Sequence, residues 1–437
     1  MRTLLAASVA LIAACSGASE SRHRYITVDA DAVFTAMAAT RTHGMRMLDT
    51  TSDVAVLEVD EADLPALSDA MHESHGRCGG FMLHDSLADA EASLREAHPL
   101  DGGGPDYKLD RAALVRSVLP ALDRERILGT IRELSSFENR YYQSATGASA
   151  STWLRDRWRS FAAHRSDVTI ELVDHGYPQK SVVLTIPGTE RPGEVIVIGG
   201  HLDSISFARK AGNAPGADDD ASGIATLTEV LRVLLANDYR PARTIKFMAY
   251  AAEEIGLRGS QAIARVYKQR KVNVVGALQL DMTNYQGSDK DIWLMKDFTS
   301  ARQNQFLIDL IETYTGATWG LDACGYACSD HASWNRIGVP ASMPFESRMR
   351  ERNMKIHSAA DTLETSGNNA DHAVKFARLA AAYAIELGKG EAGGHVLAAP
   401  TTIHESAPAA PSHRGSLVVL NLALALSAFW FARRMRG

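Results

Sequence analysis

Four short runs with little polar alternation stand out along the chain: Glu194 to His201, Thr244 to Tyr250, Val274 to Asp281 and Ile337 to Phe345. Apolar runs of this length predict strands buried on both faces, as in a parallel sheet covered by helices. Between the first two, Ile224, Leu227, Leu231 and Leu234 recur at spacings of three and four, which is one apolar helix face opened by Ser222 and Gly223. Thr299 to Tyr314 and Asp371 to Leu387 read as further helices. From about Leu109 to Gly388 the pattern predicts one α/β domain with a helix-covered, mainly parallel, mixed sheet. Upstream, Arg24 to Leu94 mixes strand-like runs (Tyr25 to Val28, Val54 to Val59) with helix-like ones (Ala30 to Ala39, Glu61 to His72), a small α+β unit.

In sheets of this kind a ligand crevice lies beyond the carboxyl ends of the strands. Acidic residues and histidines collect at those ends. His201 and Asp203 follow the first strand, Asp218-Asp219-Asp220 opens the helix after it, Glu253-Glu254 follows the second strand, and Asp281 ends the third. His357 lies in a later loop. One such residue is an ordinary cap or turn former, but several carboxylates converging on a crevice need cations to balance them. Imidazoles mixed with carboxylates favour zinc or another borderline transition metal over magnesium or calcium.

The motifs GGHLDS, PGADDDASG, AYAAEEIGLRGSQ, ALQLDMTNY, CGYACSDHASW and IHSAADTL occur in that order between about Tyr107 and Gly388. In these the chain resembles the secreted bacterial leucyl aminopeptidases among the co-catalytic di-zinc exopeptidases. The resemblance implies two Zn2+ ions bridged by Asp219, with His201 and Asp281 on one and Glu254 and His357 on the other, and a cis bond between Asp219 and Asp220. It also implies Glu253 as the general base, Asp203 as the carboxylate that fixes the His201 tautomer, and a disulfide-closed loop from Cys324 to Cys328 whose Tyr326 donates to the developing oxyanion. Met282, Met343 and Phe345 lie beside matched motifs; they either line an apolar pocket for the first side chain or are ordinary core. The implied activity is hydrolysis of the N-terminal peptide bond of peptides with a free N-terminus, preferring leucine-like first residues. Glutaminyl cyclases and deacylases with related metal sites are the alternative. Ser329-Asp330-His331 is no serine-protease triad, because three consecutive residues cannot stack as nucleophile, base and orienter.

The ends change the picture more than the composition does. Residues 1–18 have the charged-then-apolar order of an export signal, and two processing routes are open: lipidation at Cys15 or cleavage after Ala18. Residues 19–106 end in the open linker Asp101-Gly102-Gly103-Gly104-Pro105, as a propeptide would that covers the crevice of the catalytic domain 107–388 until processing proteases cut it. An ordinary accessory domain is the other reading. After a Gly-, Ala- and Pro-rich linker at 389–415, Ser416 to Ala432 carries no charge and is followed by Arg433, Arg434 and Arg436. Residues 416–437 therefore read as a membrane or sorting segment of an exported, secreted or envelope-associated protein, expected to be a monomer. The four cysteines are too few for a disulfide-built scaffold, though Cys324 and Cys328 are close enough to pair. The net charge of -6, with both signs mixed along the chain, offers nothing to nucleic acid.

Overall fold

The computed structural model describes residues 23–40, 44–77, 79–84, 86–95, 104–206 and 212–393. The expected signal at 1–18 with Cys15, the segment 416–437 and most of both linkers lie outside the described residues. Among the described residues no helix is long and apolar enough to cross a membrane.

The N-terminal unit is a four-stranded antiparallel sheet in the order β2-β3-β1-β4. Its strands are β1 (His23–Asp29), β2 (Arg46–Thr50), β3 (Val54–Asp60) and β4 (Phe81–His84), and its helices α1 (Val33–Ala39), α2 (Leu64–His75) and α3 (Leu87–Arg95). Alternate residues of the central strands, Ile26 and Val28 with Ala55, Leu57 and Val59, turn to one side and meet Leu64, Leu67 and Met71 of α2. That core is not closed within the unit. Tyr141, Tyr142, Ile205, Ala252 and Ile255 of the following domain complete it.

The larger domain opens with α4 (Ala112–Val118), α5 (Arg124–Ser135) and α6 (Ala145–Phe161). Its six-stranded sheet has the order β12-β9-β7-β8-β6-β5. The antiparallel edge is β5 (Thr169–Val173) and β6 (Ser181–Ile186); the parallel part is β7 (Arg191–His201), β8 (Arg243–Tyr250), β9 (Asn273–Gln279) and β12 (Ala341–Ser342). In β7, Ile196 and Ile198 pack against α7 (Ala221–Ala236) and α11 (Ala373–Gly388). Val195 and Val197 face the opposite way, toward Ile263 of α8 (Arg258–Gln269) and Trp334 of α10 (His331–Arg336). The run is apolar at every position because both faces are covered. The fold is thus the helix-covered mixed sheet expected from the sequence.

Two expected elements differ in detail. Ile337 to Phe345 is not one strand: β12 pairs with β9, whereas β13 (Pro344–Phe345) crosses to a three-stranded sheet β11-β10-β13 with β10 (Ile292–Met295) and β11 (Trp319–Asp322). Pro340 and Pro344 flank the short β12, and neither has an N–H to donate to a neighbouring strand. The helix expected from Thr299 to Tyr314 is α9 (Ala301–Leu310), which widens to a π turn at Ile311–Thr315.

Candidate metal centre

Strands β7, β8 and β9 end level with one another: His201 pairs with Tyr250, and Gly199 with both Met248 and Gln279. Everything that follows these ends therefore meets at one edge of the sheet. His201 closes β7, Glu253 and Glu254 follow β8, Asp281 follows β9, and Asp218 to Asp220 precede α7.

Asp220 ties the edge together. Its carboxylate accepts the backbone N–H of His201 (2.9 Å), of Gly223 (2.9 Å) and of Met282 (3.1 Å), so one side chain caps α7 and pins β7 to the end of β9. Its oxygens fill the space a side chain would need at two glycines: a Cβ on Gly200 would lie 2.9 Å from Asp220 Oδ2, and one on Gly223 2.4 Å from Oδ1. The bond between Asp219 and Asp220 is cis.

The five ligands implied by the resemblance, His201, Asp219, Glu254, Asp281 and His357, come together, all buried. Nε2 of His201 lies 2.9 Å from Asp219 Oδ1 and 3.6 Å from Asp281 Oδ1. Nε2 of His357 lies 2.9 Å from Asp219 Oδ2 and 3.1 Å from Glu254 Oε2. Asp219 thus presents one oxygen to each imidazole. Asp203 Oδ1 faces Nδ1 of His201 at 3.5 Å, and its carboxylate accepts the backbone N–H of Glu253 (3.0 Å) and of Glu254 (3.2 Å). Glu253 is buried beside the centre but belongs to none of the ligand groups found among the described residues.

The electrostatics are those of crowded, buried charge. Burial pushes the Glu254 carboxyl up to about 7, with Asp219 adding to the rise and His357 opposing it. Burial, then Asp281, holds Asp220 well above the usual carboxylate range. For His201, burial works against the charged ring, but Asp281, Glu253, Asp203 and Asp219 outweigh it and hold the imidazole well above its ordinary value. Asp219, despite burial, is held well below its own by His201 and His357. The oxygens of Asp219 and Glu254 are buried and, among the described residues, have imidazole nitrogens within ion-pair reach but no well-aligned hydrogen bond. Carboxylate oxygens in that state, beside two imidazoles, fit a divalent transition metal such as zinc.

The backbone supports the same edge. Ala252 (φ 56°), Met282 (φ 55°) and His357 (φ 57°) all adopt the left-handed region. They stand just before Glu253, just after Asp281 and at a ligand, at roughly 1–3 kcal/mol each, where strain commonly marks a functional constraint.

Cys324 and Cys328 are joined by a disulfide of 2.02 Å. Tyr326 between them is buried in one cluster with Met282, Met343 and Phe345, together with Trp293, Met295 and Ile356. A cavity of about 480 Å³ is lined by Phe81, Met82, Tyr326, Ala327 and Arg336, and none of the five ligands lines it.

Residues the sequence left without a role also converge. Asp361 accepts the backbone N–H of Asp219 at 3.1 Å and the side-chain amide N–H of Asn353 at 3.0 Å, and so fixes the backbone at Asp219. It stood inside the quoted motif IHSAADTL. From the N-terminal unit, His72 reaches the same centre, in one ligand group with Glu254 and His357.

The sequence pattern of Peptidase family M28 matches residues 181–384, from β6 into α11. Leucine aminopeptidase 1 of Uncinocarpus reesii is 38% identical over 288 residues, which are 62% of this chain and 72% of that protein. Among solved structures, LapB from Legionella pneumophila matches with a TM-score of 0.73 at 30% identity, over 84% of this chain and 100% of that one. LapA aminopeptidase of the same organism matches with a TM-score of 0.72 at 29% identity, over 84% and 99%. The chain belongs to peptidase family M28 and is a metal-dependent hydrolase.

Proposed function

We propose that this peptidase is an aminopeptidase that removes apolar, leucine-like residues from peptides with a free N-terminus, using two zinc ions bridged by Asp219. The observation that carries the reading is the pair of 2.9 Å approaches, His201 to one Asp219 oxygen and His357 to the other. In this assignment His201 and Asp281 hold one ion and Glu254 and His357 the other, with Asp219 shared. Relatives that carry the name leucine aminopeptidase support the substrate class.

Bound there, the ions would activate a water and polarise the scissile carbonyl. Glu253 accepts the proton of the attacking water and returns it to the leaving amine. Its neighbour Glu254 is a ligand; Asp203 holds the backbone N–H groups of both, so the two side chains leave the turn from a fixed start. Asp203 also keeps the Nδ1 proton of His201 facing it and Nε2 facing inward. Tyr326 donates its hydroxyl to the developing oxyanion, and Met282, Met343 and Phe345 receive the first side chain. The protein is further proposed to be exported and monomeric, with residues 19–106 as its propeptide and 416–437 as its membrane or sorting segment.

Chelating the full chain and titrating zinc back, with leucyl amide and N-acetyl-leucyl amide as substrates, tests the core of this reading. Activity should return with two equivalents of zinc on the free amine alone. Full activity in chelator, or equal rates on both amides, would sink it.

A further inference from the structure

The N-terminal unit packs on the turn that carries Glu253 and Glu254. Helix α2 enters the centre with its last turn, and His72 is buried there at 5% exposure. Nε2 of His72 is 3.9 Å from Glu254 Oε2, and its ring stands 3.8 Å from that of His357, centroid to centroid, at 49°. His72, Glu254 and His357 each offer a ligand atom, and these atoms lie within 4.8 Å of one another.

The helix is fixed on both sides of this residue. One turn earlier Ser68 Oγ donates to the backbone oxygen of Glu254 at 2.8 Å, and one turn later Arg352 donates to the backbone oxygen of Gly76 at 2.5 Å. Leu64, Leu67 and Met71 pack against Ala252 and Ile255, the residues on either side of the Glu253-Glu254 pair. Just beyond the helix, the Arg77 guanidinium lies over the ring of Tyr326, 5.1 Å from its centre. Ser68 and the apolar face of α2 are therefore seated on the very segment that carries one ligand and the proposed base.

Zinc sites that only hold structure are closed by four protein ligands, whereas catalytic sites keep a place open for water or substrate. Asp219, Glu254 and His357 supply three. A second imidazole brought to the same ion from another part of the chain supplies the fourth and converts the catalytic type into the closed one.

We propose that His72 is a protein ligand of the ion held by Glu254 and His357, so that the N-terminal unit latches the enzyme in a latent state through the metal. The proposal rests on the two-metal reading above. Activation then consists of exchanging His72 for water or substrate when the unit is cut away, and the ion itself contributes to holding the unit in place.

The test uses the full chain with cobalt in place of zinc, because cobalt absorption in the visible range reports the ligands around the ion. His72→Cys replaces the imidazole with a shorter thiolate on the same face of α2 and should gain a sulfur-to-cobalt charge-transfer band that the wild type lacks. His72→Gln should change the visible spectrum and bind one of its two ions at least about tenfold more weakly. Ser68→Ala, which removes a hydrogen bond to the Glu254 backbone but no ligand atom, should leave the spectrum as it is. If His72→Cys and His72→Gln bind two cobalt ions with the wild-type spectrum and no new band, His72 is only packed there and the latch is refuted. Circular dichroism identifies a variant that has lost the fold, and the His72→Cys band then decides alone. Fewer than two ions on the wild type would instead overturn the two-metal reading, and the latch as a modifier of that site with it.

Discussion

Asp203 holds one carboxylate oxygen 3.5 Å from Nδ1 of His201 while the same side chain takes the backbone N–H groups of Glu253 and Glu254. A single buried acid thus orients an imidazole on β7 and starts the turn after β8. Replacing it with asparagine keeps the shape but puts an amide N–H₂ where one of those donors needs an acceptor. Asp203→Asn should keep the fold and lose about 10- to 100-fold in metal affinity. Competition with a chelating dye measures this directly, and an unchanged affinity would remove Asp203 from the metal assembly.

Adjacent glutamates are assigned different work, and metal content separates them. Glu253→Gln should keep both zinc ions while turnover falls by about 10²-fold or more. Glu254→Gln should lose affinity for one ion and regain part of its activity as zinc is raised. Asp219→Asn should be more severe than either, since both ions lose the shared carboxylate. An emptied site in Glu253→Gln, with two ions retained in Glu254→Gln, would reverse the assignment of the pair.

Why so much of this site could be read from the chain follows from where its residues stand. His201 and Asp281 end or follow apolar runs, and runs of that length without alternation read as strands covered on both faces, so their ends share one edge. His72 had no such marker: it is one histidine on an amphipathic helix, and only the docking of α2 brings it to His357. Asp220 looked like one acid among three, and its three backbone partners come from β7, α7 and the end of β9, which no local pattern reports. The split of Ile337 to Phe345 between two sheets was hidden for the opposite reason, because the apolar run is continuous although the pairing partner changes.

Acid should weaken the larger domain through two histidines away from the ligands. His331 Nε2 lies 3.1 Å from the backbone oxygen of Asp297, and His372 Nε2 3.0 Å from that of Glu346. Burial presses both down to about 4, with Lys375 adding to the effect at His372. The unfolded chain, with histidines near 6.5, then binds more protons than the folded one between pH 6.5 and 4, so stability rises with pH across that window and is lost as pH falls. At pH 5 each histidine should cost about 2 kcal/mol relative to pH 7. In urea unfolding of the metal-free chain, His372→Gln should lose less stability than the wild type over that step, by about this amount. Equal losses would place the acid sensitivity elsewhere.

Met282, Met343 and Phe345 form one buried cluster with Tyr326, and that cluster is either core or the wall of the pocket for the first residue. The two roles respond differently to a small change of shape. Phe345→Leu shortens the side chain but keeps it apolar, so a purely structural cluster should lose about 1 kcal/mol of stability and handle all substrates in unchanged proportion. As a pocket wall it should instead change the ratio of kcat/KM between leucyl and phenylalanyl amides, in favour of the larger residue, by about tenfold, since a difference of a methylene or two in such a pocket is worth roughly 1–3 kcal/mol. The measurement is that ratio, taken beside the urea midpoint of the same variant. A shifted midpoint with a constant ratio would assign Phe345 to the core, and the first side chain would then need another wall.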